Sequence, residues 1–252
     1  GCGSSDKTEE STKTEETAKE ETSSQEETET KAASSDSDNV ASEEEAEKAG
    51  FSDGSDEKSD SADTDSENKD SSDSSTTSVL LDTSKELTGI HHAEIEVKDY
   101  GTIDVELDAD TAPITVTNFV KLAQEGFYDG LTFHRIMDGF MIQGGDPNGD
   151  GTGGSKENIK GEFSNNGVDN DISHTRGTIS MARASDPDSA SSQFFIVQAD
   201  STFLDGDYAG FGHVTEGMDI VDKICEDAKP TDNNGTITSD QQPVIEKITI
   251  ID

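Results

Sequence analysis

The chain has 252 residues and a formal net charge of −39 at pH 7. So acidic a balance excludes nucleic acid as a partner, because its phosphates would be repelled, and it excludes electrostatic docking onto anionic lipid. Two cysteines are too few for a disulfide framework.

The acidic charge is spread over two kinds of sequence. Residues 1–88 carry 27 acids and 8 bases and a single aromatic residue, Phe51. Ser, Thr, Glu, Asp and Lys dominate this stretch, and too little apolar surface is present to offset the cost of ordering a backbone. It is expected to be a disordered acidic tether. The chain opens Gly1-Cys2-Gly3-Ser4-Ser5. This resembles a bacterial lipoprotein, with Cys2 as the lipid-accepting residue ahead of a polar spacer; the plainer alternative is a cloning scar before an ordinary tail. The lipoprotein reading places the protein outside the cytoplasm, anchored to the bacterial cell membrane with its domain facing outward. No apolar run is long enough to span a bilayer, so membrane attachment is expected only through the lipid.

Residues 89–252 carry 30 acids and 10 bases and show regular apolar patterning, as expected of one folded domain. Ala93, Ile95 and Val97 alternate with polar residues, as do Ile103, Val105 and Leu107, with Asp99-Tyr100-Gly101 as the turn between two strands. Asp110-Thr111-Ala112-Pro113 opens a helix with proline at an early position, where its missing N–H does no harm. Val116, Phe119, Val120 and Ala123 form its apolar face, and Gly126 ends it. Short strands are expected through Phe133, at 140–142, 178–181, 194–197 and 211–214. An amphipathic helix then carries Cys225 as a small buried side chain, and a last strand lies near 244–251. Many short strands with two helices fit either a barrel or a sandwich.

Chemistry concentrates in the run Phe133-His134-Arg135-Ile136-Met137-Asp138-Gly139-Phe140-Met141-Ile142-Gln143-Gly144-Gly145-Asp146. The chain has only three arginines, Arg135, Arg176 and Arg183, and none lies in the polar stretch. An arginine inside an apolar run needs a partner or a ligand, since guanidinium stays charged at any ordinary pH. The run resembles the cyclophilin family of peptidyl-prolyl isomerases. Two further blocks match in the same order: Gly177-Thr178-Ile179-Ser180-Met181-Ala182-Arg183-Ala184 with Ser191-Ser192-Gln193-Phe194-Phe195-Ile196, then Phe203-Leu204-Asp205-Gly206 with Phe211-Gly212. The resemblance covers roughly residues 90–252 and implies a mainly β fold: a closed eight-stranded antiparallel barrel capped by two α-helices.

The resemblance also implies roles. Arg135 is the catalytic donor to the prolyl nitrogen. Phe140, Met141, Phe195 and Leu204 form the apolar pocket for the proline ring, and Gln143 holds the substrate backbone and supports the arginine. Ala182, Arg183 and Gln193 form the strip carrying the residues before proline. Arg183 stands where many relatives have asparagine. Phe203 replaces a tryptophan of many animal members, which removes an indole N–H and is expected to weaken cyclosporin binding. Tyr208 replaces a histidine and keeps an aromatic wall. Taken singly, each reads better without a functional role: the apolar residues as core, Arg135 as an ion-pair arginine and Gln193 as a strand cap. No metal or other cofactor is expected. The expected partners are proline-containing polypeptides, and the expected state is a monomer. Rival functions are a proline-peptide binding module or holdase with little turnover, and a surface protein whose barrel carries an adhesive tail.

Asp146-Pro147-Asn148-Gly149-Asp150-Gly151, with Glu157 after five more residues, satisfies the spacing of an EF-hand calcium loop. Its context is wrong, because a strand precedes it and Gly153 occupies a position that needs an apolar side chain. It is expected to be a surface loop with at most weak calcium affinity. Asn234-Gly235-Thr236 fits a glycosylation acceptor but reads better as a turn. His134 and His174 lack the neighbours of a metal site and are expected to be structural.

Overall fold

The computed structural model describes residues 78–252. Cys2 and most of the expected tether lie outside the described residues. Packed structure nevertheless begins ahead of the boundary read from composition. The Val79 N–H donates to the Ile250 carbonyl, the Leu81 N–H to the Gln124 side chain and the Leu87 N–H to the Thr117 hydroxyl. Leu81 and Leu87 also pack against the core. Val79, Leu80, Leu81 and Leu87 are too few in a polar stretch to show as a pattern, yet through Leu81, Leu87 and these hydrogen bonds some ten residues dock before position 89.

Strands β1 (Ile90–Val97) and β2 (Gly101–Asp108) form the expected hairpin, with Ala93, Ile95, Val97, Ile103, Val105 and Leu107 all buried. Helix α1 (Pro113–Gln124) has proline in its first turn and buries Val116, Phe119, Val120 and Ala123. Its N-cap residue, Ala112, offers no side-chain acceptor. The buried carboxylate of Glu162 takes that place. It accepts from the Thr115 N–H at 2.6 Å, the Thr115 hydroxyl at 2.7 Å and the Ile114 N–H at 3.3 Å. Backbone donors at a helix start have no partner within the helix, and a negative group there also suits the helix dipole.

The remaining strands are β3 (Phe133–Met137), β4 (Met141–Gly144), β5 (Thr178–Met181), β6 (Phe194–Val197), β7 (Gly210–Glu216) and β8 (Ile245–Ile250), with helix α2 (Met218–Asp227) between the last two. All eight strands form one antiparallel sheet in the order β3-β4-β6-β5-β7-β2-β1-β8. The expected closed barrel is therefore corrected to a curled, open half-barrel. The edge strands β3 and β8 share no ladder; the segments leading into them meet at the bridge between Thr132 and Val244, where the Phe133 N–H donates to the Pro243 carbonyl and the Ile245 N–H to the Leu131 carbonyl. The physical reason is that the free edge of β3 is occupied by the segment after α2. The Ile136 N–H donates to the Gly235 carbonyl and the Ile237 N–H to the His134 carbonyl.

Helix α1 packs on β8 and β2, and α2 on β2 and β4. Phe119, Tyr128, Phe133, Phe194 and Phe211 fill the centre of the core, with Phe194 edge-on to both Phe119 and Tyr128 at 5.6 and 5.5 Å between centroids. Such edge-to-face packing adds to the burial term. Cys225 on α2 is buried, and burial, with Asp138 and Asp222 nearby, pushes its thiol up to about 12. It is an inert packing residue. Among the described residues no helix is long and apolar enough to cross a membrane.

Candidate active site

Antiparallel register aligns the central residues of the site. Arg135 on β3 lies opposite Gln143 on β4, Gln143 opposite Phe195 on β6, and Phe195 opposite Ser180 on β5. One row across four strands thus carries a cation, an amide, an aromatic ring and a hydroxyl.

Arg135 is only 5% exposed. Its Nη1 donates to Gln143 Oε1 at 3.1 Å, its Nε to the Asn234 carbonyl at 2.7 Å and its Nη2 to Asn234 Oδ1 at 3.2 Å. These neutral acceptors orient the guanidinium plane. Gln143 passes the restraint on, since its Nε2 donates to Gln193 Oε1 at 3.1 Å. Gln193 in turn donates to the carbonyls of Gly151 and Gly153 at 3.1 and 2.7 Å. The glycine-rich loop after β4 is therefore tied to the arginine through two glutamines.

Beside the row, Met141, Phe195 and Leu204 are buried yet lie outside the contiguous core cluster that takes Phe133, Phe194 and Ile142. That separation distinguishes a second apolar group from the core. Phe140 and Phe203 close one side, with rings 5.7 Å apart. Phe203, on the 3-10 turn Thr202–Leu204, is 40% exposed. Tyr208 stands edge-on to Phe195 at 6.0 Å. Ala182 is buried just after β5, and its N–H donates to the Gln193 carbonyl at 3.0 Å. The Arg183 guanidinium carbon lies over the rings of Phe163 and Tyr208, 5.0 and 4.8 Å from their centroids. A groove of about 350 Å³ adjoins, with Gln143, Ala182, Arg183 and Gln193 on its wall.

A matching family model covers residues 92–251 and is described as cyclophilin type peptidyl-prolyl cis-trans isomerase. The chain belongs to the cyclophilin family. It is a peptidyl-prolyl cis-trans isomerase, a rotamase. A peptidyl-prolyl cis-trans isomerase of Helicobacter pylori is 46% identical over 142 residues, which is 56% of this chain and 83% of that relative. Peptidyl-prolyl cis-trans isomerase B of Bacillus subtilis is 48% identical over 124 residues, covering 49% and 83%. Among solved structures, a cyclophilin-type isomerase of Cryptosporidium parvum matches with a TM-score of 0.57 and 28% identity over 64% of this chain and 98% of that one. A second structure of that protein, in the presence of the dipeptide Ala-Pro, matches with a TM-score of 0.56 and 30% identity.

The candidate site also contains residues that sequence reasoning missed. Asn234, read only as part of a turn, supplies two of the acceptors that hold Arg135. Gly235 makes this possible. It sits at φ 86, and a Cβ there would lie 2.6 Å from Met137 Cγ and 2.7 Å from the Ile136 carbonyl. The Asn-Gly pair was the only local signal, and it indicated a turn rather than a partner. His174 was expected to be structural, and it stands behind Phe195 with the two rings stacked 6.0 Å apart. Its Nδ1 is 2.8 Å from Asp205 Oδ1 and its Nε2 is 2.8 Å from Ser180 Oγ. Burial lowers its pKa, against the opposing pull of Asp205.

The EF-hand spacing does not build a cation cage. The Asp146 carboxylate accepts the N–H groups of Asn148, Asp150 and Gly151, closing its own loop directly after β4. Among the described residues no group of three or more His, Cys, Asp or Glu side chains is arranged to hold a metal.

Proposed function

We propose that this cyclophilin accelerates rotation about Xaa-Pro bonds by aiming Arg135 at the prolyl nitrogen while the ring sits against Phe140, Met141, Phe195 and Leu204. The amide barrier of ~18–20 kcal/mol reflects C–N resonance. Rotation breaks that resonance and returns a lone pair to the nitrogen. A fixed donor there is worth more in the twisted state than in either planar state, which is the condition for catalysis. Arginine suits the task because it is charged, planar and does not titrate. No nucleophile or proton transfer is required.

The observation that carries this reading is the Arg135-Gln143-Phe195 row beside an apolar group held apart from the core. The related Cryptosporidium isomerase, solved in the presence of Ala-Pro, supports a proline-containing peptide as the ligand. The test is NMR exchange on a short Xaa-Pro peptide with the protein and its Arg135→Ala variant. Fast exchange that is largely lost in the variant supports the assignment. Peptide binding without accelerated exchange would favour a binding module or holdase, and equal exchange in both proteins would remove Arg135 from the donor role.

The setting we propose is outside the cytoplasm, where the enzyme acts as a monomer on exported or surface proteins while tethered through a lipid on Cys2. Its support is the sequence Gly1-Cys2-Gly3-Ser4-Ser5 and the polar stretch that follows. Partition into detergent that is lost in Cys2→Ala is the expected result; a parent protein that stays aqueous removes the anchor.

A further inference from the structure

The groove beside the proline pocket is unusual for this chain in its charge. Residues 89–252 carry 30 acids against 10 bases, yet no carboxylate lines the groove. Its wall is built from Thr152, Ser155, Asn158, Ser189 and Ser191 with backbone between them, and Arg183 is its single charged residue. Nearby carboxylates keep their charge, but among the described residues none pairs with Arg183, and each accepts from a neutral donor instead. Asp207 accepts from Asn165 at 2.7 Å, Asp188 from the Gly161 N–H at 3.0 Å and Asp150 from the Thr152 N–H at 3.0 Å.

Arg183 is held by neutral groups only. Its Nε donates to the Asp207 carbonyl at 2.9 Å, and its Nη1 to the carbonyls of Ala184 and Ser185 at 2.9 and 3.3 Å. The rings of Phe163 and Tyr208 lie 5.0 and 4.8 Å from its guanidinium carbon. Arg176, by contrast, is spent in a bidentate pair with Asp222 at 2.7 Å on both nitrogens. Arg183 is thus a fixed cation whose charge no described carboxylate cancels and whose Nη2 has no hydrogen-bond partner among the described residues. Little side-chain entropy remains to be lost when it binds a ligand.

We infer that Arg183 makes this groove selective for an acidic side chain on the substrate, N-terminal to the proline. The inference rests on the isomerase reading above and specifies its substrate class. A carboxylate gains a charge-assisted hydrogen bond from the guanidinium, about twice as strong as a neutral one, and the hydroxyl and amide wall can satisfy its remaining lone pairs. The acidic surface elsewhere does not reverse this preference, because charges beyond ~8 Å are screened at physiological ionic strength. Arg183 here recognises charge, and its stacking on Tyr208 also couples the groove to the proline pocket.

The test measures kcat/KM by NMR exchange for the full chain on peptides with Glu, Gln or Leu placed one, two or three residues before a single proline. At one of the three positions the Glu peptide is expected to exceed the Gln peptide by about fivefold or more, a ratio that Arg183→Gln brings to about one and Arg183→Lys lowers only in part. A ratio of one or less at all three positions in the parent protein overturns the inference, as does a preference that survives in Arg183→Gln. Should Arg183→Gln fail to fold, the Arg183 Nε–H resonance of the parent protein decides: it should move on titration with the Glu peptide and stay still with the Leu peptide, and no movement with either overturns the inference. Absence of catalysis on every peptide sinks the isomerase reading itself, an outcome distinct from good catalysis without preference.

Discussion

The floor of the cleft and its rim are built differently. The floor is strand-borne: Arg135, Gln143 and Phe195 sit in register on β3, β4 and β6, and the arginine is locked by neighbours on both sides. The rim is loop-borne: Phe203 projects from a 3-10 turn at 40% exposure, and Tyr208 and Arg183 hold one another by stacking. Catalysis needs a donor fixed to within a fraction of an ångström, which strands supply. Choosing among polypeptides needs surfaces that vary without disturbing the sheet, which loops supply. Arg183, Phe203 and Tyr208, where the resemblance implies departures from other members, all fall on the rim.

Changes to the floor should cost the most. Arg135→Ala is expected to lower catalysed exchange by about 10²- to 10³-fold, the usual cost of removing a transition-state donor, with circular dichroism unchanged. Gln143→Ala should cost about tenfold by unlocking the arginine and the Gln193 relay. Its effect should fall on kcat, because peptide still meets the apolar pocket; a change confined to KM would argue that Gln143 serves binding instead. Gly235→Ala reaches the floor from behind. A Cβ at φ 86 against Met137 and the Ile136 carbonyl should destabilise the protein by about 1–3 kcal/mol, read by denaturant midpoint.

Acid should weaken the floor before the rim. Burial is the largest influence on His134 and His174 and lowers both below the ordinary 6.5, with Asp146 and Asp205 pulling the other way. Below pH 6.5 the unfolded chain therefore binds protons that the folded chain refuses, so stability falls as pH drops through that value toward the folded ones. Melting temperature should decrease between pH 7.5 and pH 5, above the range where carboxylates titrate, and the decrease should be smaller in His134→Gln. A flat profile would break the link between these buried imidazoles and the sheet. The smallest expected effect is at the rim: Phe203→Trp should tighten cyclosporin binding by returning an indole N–H, while exchange changes far less than in Arg135→Ala. Calorimetry with the drug reads the first and NMR the second.

Much of the core that supports the floor could be read along the chain. Alternation placed Ile95 and Val105 inward and helical spacing placed Phe119, because both patterns are local consequences of backbone period. Arg135 stood out because a cation in an apolar run demands a partner. The rim was readable only as resemblance, since Phe203 and Tyr208 carry no periodicity. Sequence alone also left Met141, Phe195 and Leu204 open to being core, and the structure sets them outside the core cluster.

By itself, then, the sequence determined the run of strands and helices, the inward faces of the first hairpin and the first helix, and the family to which the three ordered blocks point. Tertiary structure decided what local period cannot encode, namely which residues meet across long separations. Glu162 caps a helix 47 residues earlier in the chain. Asn234 holds an arginine 99 residues before it. The segment after α2 occupies the edge of β3 and leaves the sheet open. In each case a buried backbone group or charge had to find a partner, and the fold, rather than the neighbouring sequence, supplied it.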